Sequence, residues 1–132
     1  MQLKNLFIPA CLLYTLTVNA QQTPAVGPTP TIFRYVEVMP KANYDLSKYL
    51  SENIHYPDTA RKYNIEGRVL IKFVVTEDGI ISDCQILKGI GGGCDEEALR
   101  VIKNLPPWIP GKQDGKPVKV YYTLPIVFKL TD

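Results

Sequence analysis

Residues 118–130 read V-K-V-Y-Y-T-L-P-I-V-F-K-L. Apolar side chains occupy Val118, Val120, Tyr122, Leu124, Ile126, Phe128 and Leu130, every second position, and a more polar set lies between them. A period of two over this length predicts a β-strand with one buried and one wetter face. Pro125 cannot donate to a ladder, so one side of the strand is expected to be unpaired there. Residues of one parity point both backbone groups to the same side. With Pro125 on the open side, Lys119, Tyr121, Thr123 and Val127 share that outward edge. Val118, Val120, Tyr122 and Leu124 then bond inward, and their expected partner is the strand at 68–76. Lys119, Tyr121 and Thr123 are predicted to offer free rungs. An open edge is a liability unless it is covered or used, and the expectation here is that it is used.

Working outward, residues 68–76 (R-V-L-I-K-F-V-V-T) alternate with Val69, Ile71, Phe73 and Val75 on the inner face. Glu77-Asp78-Gly79 supplies hairpin chemistry, the glycine providing positive φ. Residues 80–88 form the return strand, with Ile80, Cys84 and Ile86 on one face. Residues 89–93 (G-I-G-G-G) read as a flexible connector. Asp95 then caps a helix with an inner stripe of Ala98, Val101, Ile102 and Leu105, ended by Pro106-Pro107. Glu96 and Glu97 suit its positive end, Arg100 and Lys103 its negative end. Residues 108–117 read as a turn-rich loop. Upstream, Leu46, Tyr49, Leu50 and Ile54 have helical spacing with Asp45 as N-cap. Tyr56-Pro57 interrupts that helix. A second short helix follows, with Ala60 and Tyr63 inward and Asn64 at its exit. Residues 32–39 alternate weakly, predicting a short extra strand.

Residues 1–20 have the form of a secretory signal peptide: Lys4, an apolar run, then Val18-Asn19-Ala20 at the cleavage positions. An uncleaved anchor is the alternative, although Pro9, Thr15, Thr17 and Asn19 make a short, poor span. Residues 21–31 (QQTPAVGPTPT) form a Pro/Thr-rich linker, leaving 32–132 as the folded domain. The chain of 132 residues carries a formal charge of +2. Without residues 1–20 it loses one cation, Lys4. So small and evenly mixed a charge gives no reason to expect nucleic acid as a partner.

Candidate chemistry is sparse. Cys84 and Cys94 remain once Cys11 leaves with the leader, and an oxidising compartment favours a disulfide between them. Closing that loop would stabilise by ~2–3 kcal/mol; the alternative is two buried free thiols. The glycine run lacks the Gly-Lys-Ser/Thr ending of a phosphate loop, and Asp95, Glu96 and Glu97 already crowd the helix N-terminus. His55 is the single histidine, so neither a zinc set nor a nucleophile–His pair has its parts. No catalytic, metal or cofactor residues are assigned, and no enzyme is expected. Trp108 has two readings, closure of the core's end or a partner contact.

The residues resemble the C-terminal domain of TonB-type energy transducers. The resemblance rests on Tyr56-Pro57 with Ala60, Ile65-Glu66-Gly67, Phe73-Val74-Val75-Thr76 with Asp78-Gly79, and D-E-E-A-L-R from Asp95. It continues through Trp108 with Pro110-Gly111, Gly115-Lys116-Pro117-Val118 and Pro125-Ile126-Val127-Phe128. It implies an α+β fold, an antiparallel sheet of three main strands packed against two or three short helices. It also implies a periplasmic partner role: gripping a segment of an outer-membrane TonB-dependent transporter as an added strand. Carried over by position, contacts fall at Tyr56, Pro57, Lys119, Tyr121, Thr123 and Val127. If residues 1–20 anchor the chain, an inner-membrane proton-motive-force complex joins the partners and the protein transduces energy. The linker of eleven residues spans only ~35–40 Å extended, short for that task. A homodimer through the open edges, and an envelope structural or inhibitory protein reusing the fold, complete the alternatives.

Overall fold

The structure, a computed structural model, describes residues 31–131. The expected leader at 1–20 and all but the last residue of the expected linker lie outside the described residues. Helices α1 (Leu46–Asn53), α2 (Asp58–Lys62) and α3 (Cys94–Lys103) accompany strands β1 (Gly67–Val75), β2 (Ile81–Lys88), β3 (Gly111–Gln113), β4 (Lys116–Val118) and β5 (Val120–Phe128). The main sheet is antiparallel in the order β2-β1-β5, with β3-β4 as a separate hairpin. This is the expected α+β architecture.

β1 is central because it is apolar enough to be covered on both sides. Val69, Ile71, Phe73 and Val75 are buried beneath the helices, and Val74 is buried on the opposite face. β5 pairs with it without slippage from Gly67–Phe128 to Val75–Val120. The inner side chains of both strands meet Ala98, Ile102 and Leu105 from the α3 stripe and Ala60 of α2. Trp108 closes one end of this core, edge-on to Phe73 and Tyr122 at 5.5 and 4.9 Å between ring centroids. Its indole Nε1–H donates to the Tyr44 hydroxyl at 3.0 Å, leaving the buried polar atom satisfied. Core closure is therefore the role the fold gives Trp108.

Several expectations are corrected. Residues 118–130 are two strands, split at Lys119. β4 turns back on β3 through Asp114 and Gly115, both at positive φ (53° and 75°). Asp-Gly with that backbone is two-residue hairpin chemistry, so the supposed loop held a legible signal. Residues 32–39 form no strand. They cross the domain as a strap touching it at isolated bridges, Phe33 with Val120 and Val38 with Lys112. Ile80 is 50% exposed, because β2 starts one residue later and bulges at Asp83 (φ 51°). The bulge resets the alternation, so Ile81 and Cys84 pack on the core while Ile86 is exposed. Tyr63 also faces outward. The glycine connector is a built turn: the Asp95 carboxylate accepts from the Ile90 N–H at 2.8 Å and the Gly91 N–H at 3.3 Å. Gly93, at φ 89°, takes the N-cap position expected of Asp95.

Cys84 and Cys94 are free thiols, not a disulfide. Cys94 is buried at the start of α3, and Cys84 is half-buried on β2. Burial raises both thiol pKa values above the ordinary range, which lowers the thiolate fraction of each.

Candidate docking edge and groove

β5 is an edge strand, and its register fixes which backbone groups face outward. Phe33 N–H donates to the Lys119 carbonyl at 2.9 Å, and Tyr121 N–H donates to the Phe33 carbonyl at 2.8 Å. Those two bonds identify the odd-numbered residues of β5 as the outward set, the parity inferred from Pro125. They also correct the free-rung expectation, because Lys119 and the amide of Tyr121 are already covered by the strap. Beyond Phe33 the strap leaves the edge. Among the described residues, no backbone partner meets the Tyr121 carbonyl, Thr123 or Val127 on the outward side. The open edge thus runs from Tyr121 to Val127, interrupted by one missing donor at Pro125.

Two cavities flank this edge, one on each face of the sheet. On the helical face, a groove of about 370 Å³ runs between α1 and the far half of β5, lined by Leu50, Ile54, Tyr56, Ile126, Val127 and Phe128. Asp45 caps α1 by accepting from the Lys48 amide at 3.0 Å, and Leu46, Leu50 and Ile54 pack against the core. Tyr56 is fixed at both ends: its hydroxyl donates to the Ile65 carbonyl, and its ring stands edge-on to Phe128 at 5.6 Å. Burial raises its phenol pKa, and its ring forms part of the groove wall. Val127 is 61% exposed at the groove mouth. On the opposite face a notch of about 320 Å³ lies between the strap and the near half of β5, lined by Arg34, Tyr35, Met39, Lys72, Tyr121 and Thr123.

The predicted contact residues are distributed unevenly. Thr123 and Val127 stand at the open edge, Tyr121 is half covered, and Lys119 is at the covered corner. Tyr56 lines the groove. Pro57 lies instead in a separate surface cavity of about 480 Å³ with Glu97 and Arg100. There the Glu97 carboxylate accepts from the His55 N–H at 2.7 Å and pairs with Arg100 at 2.7 Å. The Arg100 hydrogen bond holds the Glu97 pKa below the usual carboxylate range. Arg100 also donates to the Asn53 carbonyl at 2.9 Å, so the cluster ties the end of α1 to α3 and carries the turn around Tyr56-Pro57. Sequence reasoning missed Leu50 and Ile54 as groove walls and Phe33, Arg34 and Lys72 as neighbours of the edge. Helical periodicity marked the first two as buried but could not say against which strand.

Residues 52–130 match the family model described as the Gram-negative bacterial TonB protein C-terminal. The chain belongs to the TonB C-terminal family.

Two solution NMR structures of the Helicobacter pylori TonB C-terminal domain are similar to it. One is 28% identical with a TM-score of 0.50, covering 69% of this chain and 99% of that chain. The other is 24% identical with a TM-score of 0.49, covering 65% of this chain and 78% of that chain. A comparison with curated proteins finds no match. The TonB C-terminal family is linked to TonB-dependent transport across the Gram-negative envelope and is a transport-associated domain. The matched span begins inside the last turn of α1. The strap and most of α1, which supply one wall of each cavity, lie upstream of it. No described helix is long and apolar enough to cross a membrane.

Proposed function

We propose that this domain binds an extended segment of an outer-membrane TonB-dependent transporter by adding it as a strand to β5. The observation that carries the reading is the unpartnered outward edge from Tyr121 to Val127 beside an apolar groove. Strand addition takes affinity from backbone bonds and selectivity from alternate side chains. A strand docked here places every second side chain over the groove of Leu50, Ile54 and Tyr56, which favours branched apolar residues. Pro125 lacks a donor, so the docked strand loses one bond at that rung. The test is a titration of transporter N-terminal peptides into isotope-labelled protein, following backbone amide shifts. Shifts are expected along Tyr121–Val127, excluding Pro125, and at Ile54 and Tyr56. If no transporter peptide moves those amides, the proposal fails.

We further propose that the domain works in the periplasm after removal of residues 1–20, on the signal-peptide pattern of those residues. Intact mass of the exported protein then gives an N-terminus at Gln21. A retained Met1 would instead favour an anchored transducer.

A further inference from the structure

We propose that the notch between the strap and β5 is a subsite for a carboxylate side chain of the docked segment. This rests on the docking reading above and adds the chemistry that the edge selects. Four observations converge. First, the notch opens at Tyr121 and Thr123, where the strap has left the edge and the outward backbone is free. Second, its lining carries two cations, Arg34 and Lys72, and no carboxylate. Third, neither cation is in an ion pair: the pair formed among the described residues is Arg100 with Glu97, on another surface. Fourth, Lys72 leans toward the edge, its Nζ lying 4.4 Å from the Tyr121 ring centroid.

The register shows which residue of a partner reaches these cations. Lys72 pairs directly with Thr123 across β1 and β5, and directly paired residues project on the same face of a sheet. A docked residue opposite Thr123 therefore projects on the Lys72 face, away from the apolar groove. Adjacent strands lie ~4.8 Å apart, so such a residue is two strand spacings from the Lys72 backbone. The Lys72 side chain already spans much of that distance. Arg34 approaches from the strap on the opposite side of the notch. A glutamate or aspartate at this one position meets both cations, while its neighbours on the strand point to the other face. Arg34 lies upstream of the span that the family model matches, so this half of the subsite is supplied by the chain's own strap.

The test uses the full chain and the transporter peptide that most shifts the β5 amides. A single glutamate is walked through the peptide, each version paired with a glutamine twin. At one register position the glutamate peptide is expected to bind about three- to tenfold more tightly, the range for two partly exposed ion pairs. That preference should fall below about twofold in an Arg34→Met, Lys72→Met double variant under the same ion-pair accounting. In wild-type protein it should collapse as salt rises from about 50 mM to about 500 mM, a readout that does not depend on the variant folding. A glutamate preference that survives both the double variant and salt overturns the subsite. So does its absence at every register position while the β5 amides still shift; in both cases strand docking stands. If no peptide shifts those amides, docking itself has failed.

Discussion

Gly79 shows how one residue couples the hairpin tip to the core. Its φ of 82° is a left-handed conformation, and a Cβ there would lie 1.9 Å from the Trp108 carbonyl oxygen. Gly79 also accepts from the Trp108 N–H at 2.8 Å. Gly79→Ala should therefore cost roughly 2–4 kcal/mol, from combined clash and backbone strain, seen as a lower denaturant midpoint. Glu97 makes a pH-dependent contribution. Its folded pKa is depressed, so its stabilisation is full above the unfolded carboxylate value and lost as pH falls through the folded one. Glu97→Gln should destabilise by about 0.5–1 kcal/mol at neutral pH, the low figure reflecting the half-exposed Arg100. Melts of the variant and wild type should converge in acid. Cys84 and Cys94 should both alkylate once the protein is denatured, even after purification from an oxidising medium. Their identity was plain in the sequence, but whether their sulfurs meet depends on how β2 and α3 pack, which no local pattern encodes.

β5 is where element and function meet, because its two sides do different work. Inward groups build the ladder to β1, and outward groups from Tyr121 onward are free. Leu124→Pro removes an inward donor and should destabilise by about 3 kcal/mol or more. Thr123→Pro removes an outward donor and should leave the melting temperature nearly unchanged. The same substitution should abolish the peptide-induced shifts if docking proceeds by strand addition. Measuring both variants by thermal melt and titration separates the two sides of one strand. The strand's parity was legible from Pro125 alone, since only an open side tolerates a missing donor. Its covered end was not legible, because Phe33 reaches Lys119 across more than eighty residues of chain, a contact no local pattern encodes. β2 makes the same point differently: its bulge at Asp83 reverses the alternation, and a period-two reading assumes a regular ladder.

At the scale of the whole domain, one central strand holds two edges and three helices together. β1 contacts β2, β5 and α3, so amide hydrogen exchange should be slowest along Val69–Val75. It should be faster on β2, whose outer edge is exposed and bulged. Equal protection across all three strands would contradict that ranking. The sequence by itself determined the order of most elements, the α+β class and the family, because hydrophobic period, glycine turns and prolines act over a few residues. It also determined which side of the last strand lacks a donor, a covalent property of proline. Tertiary structure decided the rest: that the thiols stay unpaired, that the strap covers the first rungs, and that α1 walls a groove beside β5. It also brought Arg34 and Lys72 to one notch. These are meetings between distant segments, set by how the core packs, and the periodicity of a single stretch carries no information about its neighbour in space.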